Sequence, residues 1–71
     1  MRFEEALKAM REGKKVKLSS EGLETIFWIK NEDIISESFY DGEREYDQEA
    51  SHWLITEEIL SEDWEIVNDN T

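Results

Sequence analysis

Few side chains in this sequence are equipped for covalent chemistry. Its 71 residues include one histidine, no cysteine and three glycines. His52 has Asp47 and Glu49 as acidic neighbours in sequence, but no obvious nucleophile stands near it. A single histidine beside a tryptophan more often packs or sits at a surface than serves as a general base. Asp41-Gly42-Glu43 is a fragment of a calcium loop without the alternating acids that complete one. Gly13, Gly22 and Gly42 are too scattered to cradle a phosphate and read as caps and turns. The expectation is a protein with no catalytic residues, no metal site and no cofactor, hence not an enzyme.

Non-covalent binding is better supplied. A flat ring in a ligand needs a flat apolar partner, and a phosphate needs fixed positive charge or free N–H groups. Trp28, Trp53 and Trp64 offer rings, with Tyr40 and Tyr46 beside them. Trp64 opens the last strand and reads as core; Trp28 reads as core or interface. Trp53 follows a polar loop and precedes a helix start, so it and Trp28 are the ring contacts to expect. Lys15, Lys17 and Arg44 are the matching charges. The bland alternative is that these bases form surface ion pairs worth little each.

Charge divides the chain in two. Residues 1–17 hold six basic and three acidic side chains, a balance of +3. Residues 18–71 hold two basic and sixteen acidic side chains, a balance of −14, and the total is −11. An acidic body repels nucleic acid, so direct DNA or RNA binding is not expected. Glu37, Glu43, Glu45, Asp47 and Glu49 could instead form an acidic strip that imitates phosphates. That gives the alternative function: an acidic protein-binding inhibitor of a nucleic-acid-binding enzyme. Glu57, Glu58, Glu62 and Asp63 read as a solvated helix face. There is no signal-peptide pattern and no apolar run of membrane-spanning length, which points to a cytoplasmic protein.

The elements that must position these residues follow from periodicity. Phe3, Ala6, Leu7 and Met10 fall at i, i+3, i+4 and i+7, one stripe of a helix, with Gly13 as its stop. Lys14 to Leu18 alternates as a half-buried strand, and residues 19–22 form a turn. Thr25 to Ile29 carries bulky groups on both faces and reads as a central strand or one at an oligomer interface. Asn31-Glu32-Asp33 makes the next turn and Ile34 to Tyr40 the third strand. Asp41-Gly42 signals a hairpin, with Glu43 to Tyr46 as its return strand and 47–51 as a loop. Thr56 is expected to cap a short helix that Ile59 and Leu60 pack down. Trp64 to Val67 is the final expected strand, followed by a polar tail, Asn68 to Thr71. The fold expected is one α+β domain over 1–71: an N-terminal helix on a twisted antiparallel sheet of four to five strands, with a short helix before the last strand. A domain this small buries only about 60% of its unfolded surface, and without disulfides oligomerisation is the remaining aid.

Both ends of the chain resemble one family. Phe3, Ala6, Leu7, Met10, Gly13 and Lys14 are similar to the opening helix and basic strand of Thoeris anti-defence 2-like proteins, small proteins of phages and prophages. Ile59, Leu60, Asp63, Trp64, Ile66 and Val67 are similar to that family's closing motif, with Ser61 at its usual alanine position. The resemblance covers about the first 18 residues and the last 15. It implies a homo-oligomeric sponge that sequesters a cyclic nucleotide signal, such as a cyclic ADP-ribose isomer, without cleaving it, in pockets between subunits. Where the family has Arg-x-x-Trp after its basic strand, this chain has Lys17-Leu18-Ser19-Ser20-Glu21-Gly22.

Overall fold

Two tight turns with positive φ fold the middle of the chain into a meander. The computed structural model describes residues 1–40, 43–44 and 50–67, with 43, 44 and 50 as backbone. In chain order the elements are α1 (Phe3–Arg11), β1 (Val16–Ser20), β2 (Leu23–Lys30), β3 (Asp33–Tyr40), β4 (Glu43–Arg44), β5 (Ala50–Ser51), α2 (Thr56–Leu60) and β6 (Glu65–Ile66). Glu21-Gly22 joins β1 to β2 at φ +49° and +85°, and Asn31-Glu32 joins β2 to β3 at +51° and +68°. Two consecutive left-handed residues match the right-handed twist of the flanking strands, so the turns fix the register. Hence Ser20 pairs with Leu23 and Lys30 with Asp33.

The sheet is antiparallel in the order β4-β3-β2-β1-β6. β4 pairs with Phe39 and Tyr40, and β5 with Ile35 and Ser36, so both lie end to end along one edge of β3. The sheet is therefore five positions wide, and β2 is central, as its two-sided bulk requires. The proposed hairpin tip Asp41-Gly42 lies outside the described residues, as do Glu45 and Tyr46 of the expected return strand. Ala50–Ser51, expected as loop, pairs with β3 instead.

α1 ends as its sequence dictates. Gly13 has φ +88°, Lys14 N–H donates to the Ala9 carbonyl at 3.0 Å and Gly13 N–H to that of Met10 at 3.0 Å. These are the two bonds of a Schellman cap. The apolar stripe of α1 lies on one face of the sheet, where Ala6, Ala9, Met10, Val16, Phe27 and Trp64 are buried. Trp64 is the keystone: its ring centroid is 5.1 Å from that of Phe27 and 5.5 Å from that of Phe3, and its indole N–H donates to the Glu58 carbonyl at 2.9 Å. That bond also fixes α2 against this inner face.

α2 departs from expectation in two respects. Ile55, not Thr56, is the N-cap residue, and Glu58 reaches back to accept from the Ile55 N–H at 3.0 Å. An acid at the third helical position can satisfy the N-cap N–H without a capping hydroxyl. Ile59 and Leu60 do not pack the helix down: they are 40% and 73% exposed. The indole bond and a histidine contact hold α2 in their place. Among the described residues no helix is long and apolar enough to cross a membrane.

Candidate functional site

Strand alternation decides which expected residues can meet. Val16, Phe27 and Ser36 pair across β1, β2 and β3, and Val16 and Phe27 face the core. Their neighbours one residue away therefore face outward. That outer face carries Lys15, Lys17, Ile26, Trp28 and Ile35, and both described helices lie on the opposite side. Lys15 Nζ stands 4.5 Å above the Trp28 ring, a cation–π contact. Lys17, two residues further on in β1, lies on the same face. It is 32% exposed and meets Glu65 of β6 at 3.6 Å.

The structure thus sets Lys15 on Trp28, places Lys17 on the same face opposite Ile26 and against Glu65, and leaves the other two expected residues apart. Arg44 is in β4, in register with Phe39. β4 lies three strand positions from β1, roughly 14 Å at the usual interstrand spacing. Trp53 lies between His52 and Leu54, both of which contact the core side of the sheet, and it is 90% exposed. It makes no ring contact with Trp28 among the described residues. Of the acidic strip, Glu37 pairs with Ile26 on β2; the side chains of Glu43, Glu45, Asp47 and Glu49 lie outside the described residues.

His52 has partners that its sequence neighbours did not suggest. Its Nε2 is 2.9 Å from Glu58 Oε1, and its Nδ1 is 3.2 Å from Ser36 Oγ. The ring meets Phe27 edge-on at 4.8 Å, and the His52 N–H donates to the Ile34 carbonyl at 2.8 Å. A carboxylate only accepts, so Nε2 carries a proton, and in the neutral ring Nδ1 accepts from the Ser36 hydroxyl. Glu58, expected as a solvated acid, keeps only 17% of its side chain exposed.

This Ser-His-Glu line has the residue types of a nucleophile relay. Ser36, however, lies in mid-strand, paired with Phe27 on one side and Ala50 on the other. Such pairing commits strand N–H groups to the ladders rather than to a developing oxyanion. The arrangement works as a tie between α2 and the sheet. Ser36 and Glu58 were the residues that sequence reasoning missed. The available signal was the inner face of β3, Ile34-x-Ser36-x-Ser38, where small hydroxyls interrupt an apolar pattern.

A cleft of about 250 Å³ opens beside this tie, between α2 and the β1–β2 hairpin, with Leu18, Leu23 and Ile55 as apolar walls and Thr25, Glu57 and Asp63 as polar ones. Among the described residues no group of three His, Asp or Glu side chains is placed to hold a metal. No protein-family model matches the chain, and searches of curated proteins and of solved structures return no match.

Proposed function

We propose that this chain is a non-catalytic binding protein that captures a nucleotide-type anion on the outer face of its sheet, working as a homo-oligomer. The observation that carries the reading is Lys15 over the Trp28 ring, with Lys17, paired to Glu65, on the same strand-paired surface. A nucleotide needs those two elements within one another's reach, the ring for its base and the charges for its phosphates. The resemblance of both chain ends to Thoeris anti-defence 2-like proteins supports a cyclic nucleotide immune signal as the ligand.

Magnitudes favour exchange of the resting contact for the ligand. An exposed cation–π pair contributes about 0.5–1 kcal/mol, whereas stacking of a base on an aromatic side chain contributes about 1–3 kcal/mol. A base that lands on Trp28 therefore displaces the Lys15 ammonium, which swings on its flexible stem to a phosphate. An open sheet face gives the ligand one wall. A second copy seated on the same face supplies the other, together with a second set of cations.

A thermal-shift panel of cyclic nucleotides and cyclic ADP-ribose isomers tests the reading. At a ligand concentration of 1,000 Kd the native state gains about 4 kcal/mol. The stabilised melt should fall back in Trp28→Ala and in the Lys15→Ala/Lys17→Ala pair. A panel in which no compound moves the melt rejects nucleotide capture.

A further inference from the structure

The exposed large apolar side chains concentrate around α2. Trp53 is 90% exposed, Leu60 73%, Ile55 57% and Ile59 40%, all within eight residues. They are arranged rather than scattered. Leu54 packs against the core, so Trp53 and Ile55 on either side of it stand outward together. The Ile59 N–H donates to the Ile55 carbonyl at 3.1 Å, which stacks Ile59 one turn above Ile55. A large aromatic surrounded by aliphatic neighbours and left in water is the composition of a protein-binding hot spot.

Hollows lie on both sides of this ledge. Ile55 lines the cleft beside the β1–β2 hairpin. Ile59 and Leu60 line a second hollow of about 340 Å³ against Phe3. The rims are acidic: Glu57 and Asp63 on one side, Glu4 and Glu62 on the other. Arg2 also lines the second hollow, and its guanidinium lies 3.4 Å from Glu62.

We infer that α2 and its two hollows form a docking surface for a basic amphipathic segment of another protein, its apolar face on Trp53, Ile55 and Leu60 and its Lys or Arg side chains over the acidic rims. Charge complementarity selects this occupant. An anionic membrane meets the same acids and is repelled. A second copy seated ledge to ledge would set the same acidic rims, Glu57 and Asp63 or Glu4 and Glu62, against each other.

The test uses the full chain and a fluorescein-labelled Leu/Lys amphipathic helical peptide, read by anisotropy. Trp53→Ala and Leu60→Ser should each weaken binding about ten-fold or more, with circular-dichroism melts showing that both variants remain folded. The Glu57→Gln/Asp63→Asn pair should flatten the salt dependence. Equal affinity in the wild type and both apolar variants overturns the inference, because the peptide then reads only net charge. Absence of binding at about 1 mM peptide overturns it as well. So does loss of a native oligomer in Trp53→Ala by sedimentation, which would make the ledge the seat of a second copy. Binding to anionic vesicles that depends on Trp53 would assign it to lipid instead.

Discussion

Glu32 occupies a backbone conformation that its side chain disfavours. At φ +68° it is the second residue of a turn whose first is Asn31 at +51°. An L side chain in the left-handed region costs roughly 1–2 kcal/mol, which glycine avoids while adding some unfolded-chain entropy. Asn-Gly is the preferred pair for this turn. Glu32→Gly should therefore stabilise the domain by about 0.5–1 kcal/mol and raise Tm by roughly 4 °C, read by calorimetry. A lower Tm would mean that the Glu32 side chain contributes a compensating contact. Gly13 is the reverse case. A β-carbon there would meet nothing within 4 Å, so only its φ of +88° argues against a side chain. Turn and cap glycines of this kind were legible in the sequence because the steric reason for them is local. The partners of His52 were not: Ser36 and Glu58 come from separate elements, and sequence proximity pointed to Asp47 and Glu49.

At the scale of elements, α2 is held largely by polar bonds. A helix of five residues is too short to persist by propensity. Two of its apolar side chains face water, so its position rests on the Trp64 bond to the Glu58 carbonyl and on the His52 bonds to Glu58 and Ser36. His52→Ala removes two side-chain hydrogen bonds and an edge-on ring contact with Phe27. The expected cost is about 2–3 kcal/mol. Native-state hydrogen exchange should show it chiefly as faster opening of residues 55–60. Uniform acceleration over β1, β2 and β3 would show that the histidine supports the whole core rather than the tie. The sheet elements were easier to foresee than α2, because alternation and turn chemistry agree along residues 16–40. In α2 the expected cap and the expected burial of Ile59 and Leu60 both failed, for one reason: Glu58 supplies the cap and polar bonds replace the packing.

The whole molecule has a radius of gyration of 11.4 Å, against about 11 Å for a compact domain of this length. One copy is therefore already compact, and the six buried core residues among those described lie on one side of the sheet. The outer side keeps Ile26, Trp28 and Ile35 half-buried. The molecule measures 27 × 27 × 25 Å. The self-association proposed above should place this face at the contact. Ile26→Asp should shift the sedimentation profile to the single-chain mass while leaving the circular-dichroism spectrum unchanged. An unaltered oligomer in that variant would remove the outer face from the interface and, with it, the second wall of the proposed nucleotide site.

Periodicity, turn residues and the glycine stop determined by themselves that this chain is α+β and that its helix precedes a meander. Each of those features depends on groups a few residues apart. Only the tertiary structure decided which side chains share a surface. Lys15 meets Trp28, with Lys17 on the same face, because the antiparallel register sets odd residues at and before β1 beside even residues of β2. Arg44 and Trp53 fall elsewhere because strand order and the path to α2 carry them away. Side-chain neighbours across a sheet are fixed by pairing between distant segments, and the physical reason they escape a one-dimensional reading is that no local energy term refers to them.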